Sequence, residues 1–141
     1  MHTPTTIGLL FALALTGAAC DNNRTITPTT PAQPQTEIFS GTLAPQTSSF
    51  YSFTVATSGS VSITLASLVP VAPGPAATTV MGLGVGTPNG TDCDVTNSVT
   101  TAPGLTAQLV NSLTAATYCA KIYDLGSLTS NVNFTVRIVH P

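Results

Sequence analysis

The sequence predicts an all-β protein, an antiparallel two-sheet β-sandwich of about seven to eight short strands. Three observations carry that expectation. From Glu37 onward, apolar residues recur at every second position, as in Tyr51, Phe53 and Val55 or Val132, Phe134, Val136 and Ile138, which is the period of a half-buried strand. Clusters of Pro, Gly, Asn and Ser separate these runs, as turns separate strands. No stretch after Cys20 repeats its apolar residues at helical spacing.

The elements follow in order. Ile38 to Leu43 is the opening strand. Tyr51-Phe53-Val55 and Val61-Ile63-Leu65 flank Thr57-Ser58-Gly59 and read together as a hairpin. Further alternation at Met81-Leu83-Val85, Leu105-Ala107-Leu109, Tyr118-Ala120-Ile122 and Val132 to Ile138 supplies the remaining strands. Turns are expected at Pro70 to Pro75, Pro88-Asn89-Gly90, Pro103-Gly104, Asn111-Ser112 and Leu125-Gly126-Ser127. In Gly82-Leu83-Gly84-Val85-Gly86 the glycines take every second place of an apolar strand. That pattern points to close sheet packing or a bulge rather than to a phosphate loop.

Composition narrows the setting. Only 6% of the 141 residues are charged, against roughly 25% in an average soluble chain; Ser and Thr supply most of the polar surface. The net charge is −2, with Arg24, Lys121 and Arg137 as the three bases. Nucleic-acid binding needs clustered Lys and Arg, so no nucleic-acid partner is expected.

The organisation is a signal segment over 1–19, a linker over 20–36 and one β-domain over 37–141. The apolar run Ile7 to Leu15 is far short of the ~20 residues of a membrane span. It leads into Thr16-Gly17-Ala18-Ala19-Cys20. This layout resembles the bacterial lipoprotein signal, although Gly17 stands where that signal usually has Leu. The resemblance implies export, cleavage before Cys20 and a lipid (palmitate) anchor on that cysteine. An ordinary signal-peptidase cut nearby, giving a secreted soluble protein, is the alternative. Pro28, Pro31 and Pro34 then favour an extended tether that would reach on the order of 50 Å.

The cysteine count fits this layout. Cys20, Cys93 and Cys119 make an odd number, which asks for an explanation in an exported chain. With Cys20 lipidated, Cys93 and Cys119 remain to pair. The bond would close a loop of about 26 residues and contribute roughly 3 kcal/mol; two free thiols are the other outcome. Strand parity sets Cys119, Lys121 and Tyr123 on one face and Tyr118, Ala120 and Ile122 on the other. Cys119 would therefore point outward and pin a loop carrying Cys93 onto the outside of the sandwich.

Ordered segments of the domain carry a family resemblance. Phe39-Ser-Gly-Thr-Leu43, Ser49 to Val55, Gly59 to Leu65, Leu113 to Ile122 and Asn133 to Val139 resemble, in sequence and order, the bacterial pre-peptidase C-terminal domain. That resemblance covers roughly residues 37–139 and implies a jelly-roll-like sandwich with an accessory role. Some relatives bind extracellular polymers such as collagen, and some bind calcium. Such domains commonly follow an enzyme, and none is expected in this chain.

Chemistry-bearing residues are few. His140 is the one histidine in the domain, next to the last residue, and reads as a solvated tail residue rather than a triad member. No pair among Asp21, Glu37, Asp92, Asp94 and Asp124 has the look of facing acid and base groups, so no catalytic residues are assigned. Asp92, Asp94 and Asp124, with Asn89 and Asn97 nearby, form the one oxygen-rich cluster. They are candidate calcium ligands, set against the turn-capping role of Asp and Asn; no other cofactor is expected. Tyr123, beside Lys121, is the candidate binding surface for a sugar or a protein partner, against a role covering the disulfide. The expectation is a non-catalytic cell-envelope lipoprotein with a membrane-anchored binding or accessory module for an extracellular polymer or envelope protein. A structural subunit of an envelope assembly and a secreted hydrolase-associated domain are the alternatives.

Overall fold

The computed structural model describes residues 33–141. The expected signal segment, Cys20 and the linker up to residue 32 lie outside the described residues. Eight strands make up the domain: β1 (Gln35–Leu43), β2 (Ser48–Val55), β3 (Gly59–Pro70), β4 (Met81–Asn89), β5 (Asp92–Thr101), β6 (Leu109–Leu113), β7 (Ala116–Tyr123) and β8 (Val132–His140). They form two four-stranded sheets, ordered β1-β8-β3-β6 and β2-β7-β4-β5, and every pairing is antiparallel. The all-β sandwich is as expected. β1 takes in Gln35 and Thr36, which the sequence assigned to the linker.

The pairing has one organising pattern. β1 pairs β8, β2 pairs β7, β3 pairs β6 and β4 pairs β5. The chain is thus a long hairpin with its tip at β4–β5, rolled so that the arms supply strands to both sheets. That is a jelly roll. It corrects the expected β2–β3 hairpin: these neighbours belong to different sheets. Both send alternating apolar residues into one core, Phe53 and Val55 from one side and Val61, Ile63 and Leu65 from the other. Alternation reports a buried face but not which sheet owns the strand.

Two further expectations fail locally. Leu105-Ala107-Leu109 is not a strand; β6 spans Leu109–Leu113 and contains the expected turn Asn111-Ser112. Residues 104–108 follow β3 irregularly instead. Gly104 N–H donates to the Leu65 carbonyl at 2.9 Å and Gln108 N–H to that of Ile63 at 3.2 Å, while Leu65 N–H donates to Gln108 Oε1 at 2.8 Å. A side chain doing a backbone's work removes the need for a ladder, and Leu105 is left 90% exposed. The other failure is β5, expected as a turn-rich loop. It is a strand of ten residues, written mostly in polar residues, as suits a sheet edge.

The core lies between the sheets and is apolar except at one end. There His140 is buried with 1% of its surface exposed, so it is not a solvated tail residue. Its Nε2 lies 2.8 Å from Glu37 Oε1, and Tyr51 donates its hydroxyl to Glu37 Oε2 at 2.5 Å. β8 is a central strand, paired on both sides, which explains why its last residue is covered. Glu37 therefore joins the two sheets, since β1 and β8 belong to one and β2 to the other. Replacing Glu37 with Ala leaves His140 without its partner and should cost about 1–3 kcal/mol. Urea unfolding of the variant checks this, and an unchanged midpoint would contradict the cluster's structural role.

Candidate functional site

The site grows from what β4 lacks. Met81, Leu83 and Val85 point into the core, so Gly82, Gly84 and Gly86 lie on the outer face. A Cβ on Gly82 would overlap the Tyr123 ring, one on Gly84 would overlap the Val95 side chain, and one on Gly86 would overlap the Asp94 backbone. Bare backbone there lets three different groups lie directly on the strand. The glycine pattern thus marks both of the features expected of it, close packing and a bulge. The register shifts between Val85 and Gly86, where Val85 faces Asn97 but Gly86 faces Val95. Thr96 is the extra residue, and its hydroxyl donates to the Val85 carbonyl at 3.2 Å.

The bulge bends β5 across β4 and makes the disulfide. Cys93 and Cys119 are on strands separated by β4, yet they are bonded with their Cα atoms 5.9 Å apart. The tip of the β4–β5 hairpin helps: Asn89 pairs Asp92, and Gly90, at φ 57°, takes the first central place of the two-residue reversal, where glycine is favoured. Cys119 does share the outer face with Lys121 and Tyr123, but it is wholly buried because β5 lies over it. Tyr123 does not cover the disulfide. Its ring lies on Gly82, two rows further along the sheet.

A groove of about 570 Å³ opens on this face. Cys93, Asp94 and Val95 of the folded-over β5 form one side, and Lys121 and Tyr123 of β7 lie between. Gln46, Thr47 and Ser48 form the other side, with Asp124 beside them. The expected surface residues Tyr123 and Lys121 are therefore brought together with Asp94 and Asp124. Asp92 joins at the rim through Lys121, whose Nζ is 2.7 Å from Asp92 Oδ1. Gln46, Thr47 and Ser48 were not foreseen, because the β1–β2 turn has only Pro45 to announce it.

The three aspartates do not converge on one point. Lys121 and the Cys93 N–H both donate to Asp92 and hold its carboxyl below the ordinary value. Asp94 accepts from Asn89 Nδ2 at 3.1 Å. Asn97 turns away and donates to Asn111 Oδ1 at 2.6 Å, joining the edges of the two sheets. Among the described residues no group of three or more His, Cys, Asp or Glu is placed to hold a metal ion.

Asp124 is a knot between two loops. Its Oδ1 accepts from Ser127 N–H at 2.9 Å and Leu128 N–H at 3.1 Å. Its Oδ2 accepts from Gln46 N–H at 2.8 Å, and its own N–H donates to the Thr47 carbonyl at 3.0 Å. Burial pushes the Asp124 carboxyl up, but the N–H groups of Gln46, Ser127, Leu128 and Gly126 outweigh it and hold the carboxyl below its ordinary value. This bond sustains an unusual backbone. Gln46, at φ 59°, is the one non-glycine residue with positive φ among the described residues. It follows Pro45 in a turn closed by Thr47 N–H to the Ala44 carbonyl at 3.3 Å, in a place that favours Gly or Asn. The conformation costs about 1–2 kcal/mol, and strain of this kind tends to collect where ligands bind.

No protein-family model matches the chain, and no curated protein matches it.

Two outcomes follow from this geometry. Gly86→Ala should drive β5 off β4 and part the cysteines; thiol titration then finds two more free thiols than in the native protein, and stability falls by about 3 kcal/mol or more. An intact bond with an unchanged melting midpoint would refute the close-approach account. Asp124→Asn should cost on the order of 1 kcal/mol near neutral pH, a charge-assisted bond discounted for solvent screening. The native carboxyl is depressed, so its contribution is complete above about pH 4, the unfolded value, and disappears as pH falls through the folded value. Melting curves of both proteins should therefore converge in acid.

Proposed function

We propose that the protein is a non-catalytic lipoprotein of the bacterial cell envelope, presenting a jelly-roll binding module at the end of an extended tether. The groove on the outer face of the β2 sheet is the observation that carries the binding part. It gathers an aromatic ring, a lysine and carboxylates around a space of about 570 Å³, within the size of small-ligand clefts. Its walls are fixed by a disulfide and by Asp124 rather than by mobile loops, so little order need be gained on binding. The resemblance to the pre-peptidase C-terminal domain supports an accessory role of the same kind.

The anchoring part rests on the sequence: an apolar segment, small residues, Cys20 and a proline-spaced linker. The non-catalytic part rests on where the titratable groups lie. The histidine of the domain is engaged with Glu37 and Pro141, Glu37 in turn accepts from the Tyr51 hydroxyl, and among the described residues no serine, threonine or cysteine is hydrogen-bonded to that histidine. The carboxylates nearest the groove are committed to Lys121, Asn89 and backbone N–H groups.

Intact mass and fractionation test this reading. The native mature protein should begin at Cys20, carry acyl chains there and partition into detergent. Cys20→Ser should lose the lipid and leave the membrane fraction. Membrane association unchanged by that substitution, or a mature N-terminus elsewhere, would overturn the anchor.

A further inference from the structure

We infer that the groove on the outer face of the β2 sheet takes a neutral sugar ring, stacked on Tyr123 and hydrogen-bonded by Gln46, Asp94 and Lys121. The inference rests on the proposed binding role and specifies its ligand.

The platform is the first observation. Glycine at position 82 lets the Tyr123 ring lie against bare β4 backbone. One face of the ring is thereby fixed, and the residue remains partly exposed at the groove. A flat aromatic surface held in one orientation suits the C–H face of a pyranose, because stacking then costs no side-chain ordering.

The second observation is the mixture of polar groups around that ring. Lys121 offers donors only, of which one is used by Asp92. Asp94 offers acceptors only, and its bonds to Asn89 are 3.1 and 3.3 Å long. Gln46 carries an amide with both, and Thr47 and Ser48 carry hydroxyls. A sugar hydroxyl donates and accepts at once, so it can use all of these. A lysine or arginine side chain brings donors alone, so a basic peptide could answer the Lys121 and amide donors only with its backbone carbonyls.

Charge excludes the acidic sugars. Lys121 faces Asp92, Asp94 and Asp124, so the groove is negative on balance and repels carboxylate, sulfate or phosphate groups. Gln46 supplies the third observation. Its backbone is held in the left-handed region by Asp124, although glycine would relieve the strain. A glutamine retained at such a cost is explained if its amide reaches the ligand.

The test is a backbone-amide NMR titration of the mature protein with cellohexaose and chitohexaose as neutral probes, oligogalacturonate as the acidic probe and oligolysine as the peptide probe. At least one neutral probe should shift residues 46–48, 94–95 and 121–124 in a saturable manner, with oligogalacturonate inert. Tyr123→Ala should weaken that binding by about tenfold or more, while Tyr123→Phe keeps most of it. Gln46→Gly guards against misfolding: it should weaken binding several-fold, on the order of one lost hydrogen bond, while the melting midpoint holds or rises. No shift with either neutral probe, binding that survives both Tyr123→Ala and Gln46→Gly, or a preference for oligogalacturonate or oligolysine would overturn the inference. Because membrane anchoring is read independently by mass and fractionation, and protein binding by the oligolysine arm, loss of the sugar reading alone would leave the proposed module in place.

Discussion

The outer face of the β2 sheet takes its shape from three side chains that β4 does not have. A central strand normally presents one face to the core and the other to solvent. β4 does the first with Met81, Leu83 and Val85, but with Gly82, Gly84 and Gly86 it presents bare backbone on the second. Bare backbone in a strand is a liability, because glycine loses entropy and packs nothing. Here the gap is filled from three directions, by Tyr123, by Val95 and by the backbone of β5. The bulge at Thr96, the bond across β4 and the groove beside it are the shapes that filling takes. The disulfide is thus a consequence of β4's sequence as much as of having two cysteines.

The same constraint explains what was legible beforehand. Period-two apolar runs identified six of the eight strands as buried elements, because each puts real area into one core. They could not assign β2 and β3 to opposite sheets, since a corner and a hairpin leave the same alternation. β5 escaped because its apolar residues, Cys93, Val95 and Val99, are few and interrupted by Asn97 and the bulge at Thr96, even though the Asn89-Gly90 reversal before it was visible. β6 was misplaced because Gln108 imitates a backbone pair along β3. His140 looked solvated from its sequence position alone, which says nothing about whether the last strand is central. Of the candidate site, strand parity correctly grouped Cys119, Lys121 and Tyr123, and the second wall at Gln46 to Ser48 required the fold.

The aspartates show how an oxygen-rich cluster in the sequence is engaged in the fold. Asp92, Asp94 and Asp124 are close in space to one groove and look, in sequence, like a reservoir of oxygen ligands. A hard cation needs their lone pairs to converge and be free. In this fold each carboxylate answers a particular donor: Lys121, Asn89, or the N–H groups of two loops. Asp124 in particular turns a short polar side chain into the pin that holds the β1–β2 turn against the β7–β8 loop.

That pin and the glycine face act on the same groove from its two sides. β5 folds inward because Gly86 permits it, and Gln46 stays in a strained backbone because Asp124 compensates it. Relaxing either side would be locally favourable: a Cβ on β4 would restore ordinary sheet geometry, and glycine at position 46 would remove the strain. A domain selected for stability alone has no reason to keep both departures from local preference, nor to direct them at one surface. Consistency between local preference and fold is the rule in natural sequences, and the exceptions collect where a surface has work to do. The two exceptions here meet around Tyr123, and their coincidence, more than any single residue, singles that face out as the candidate site.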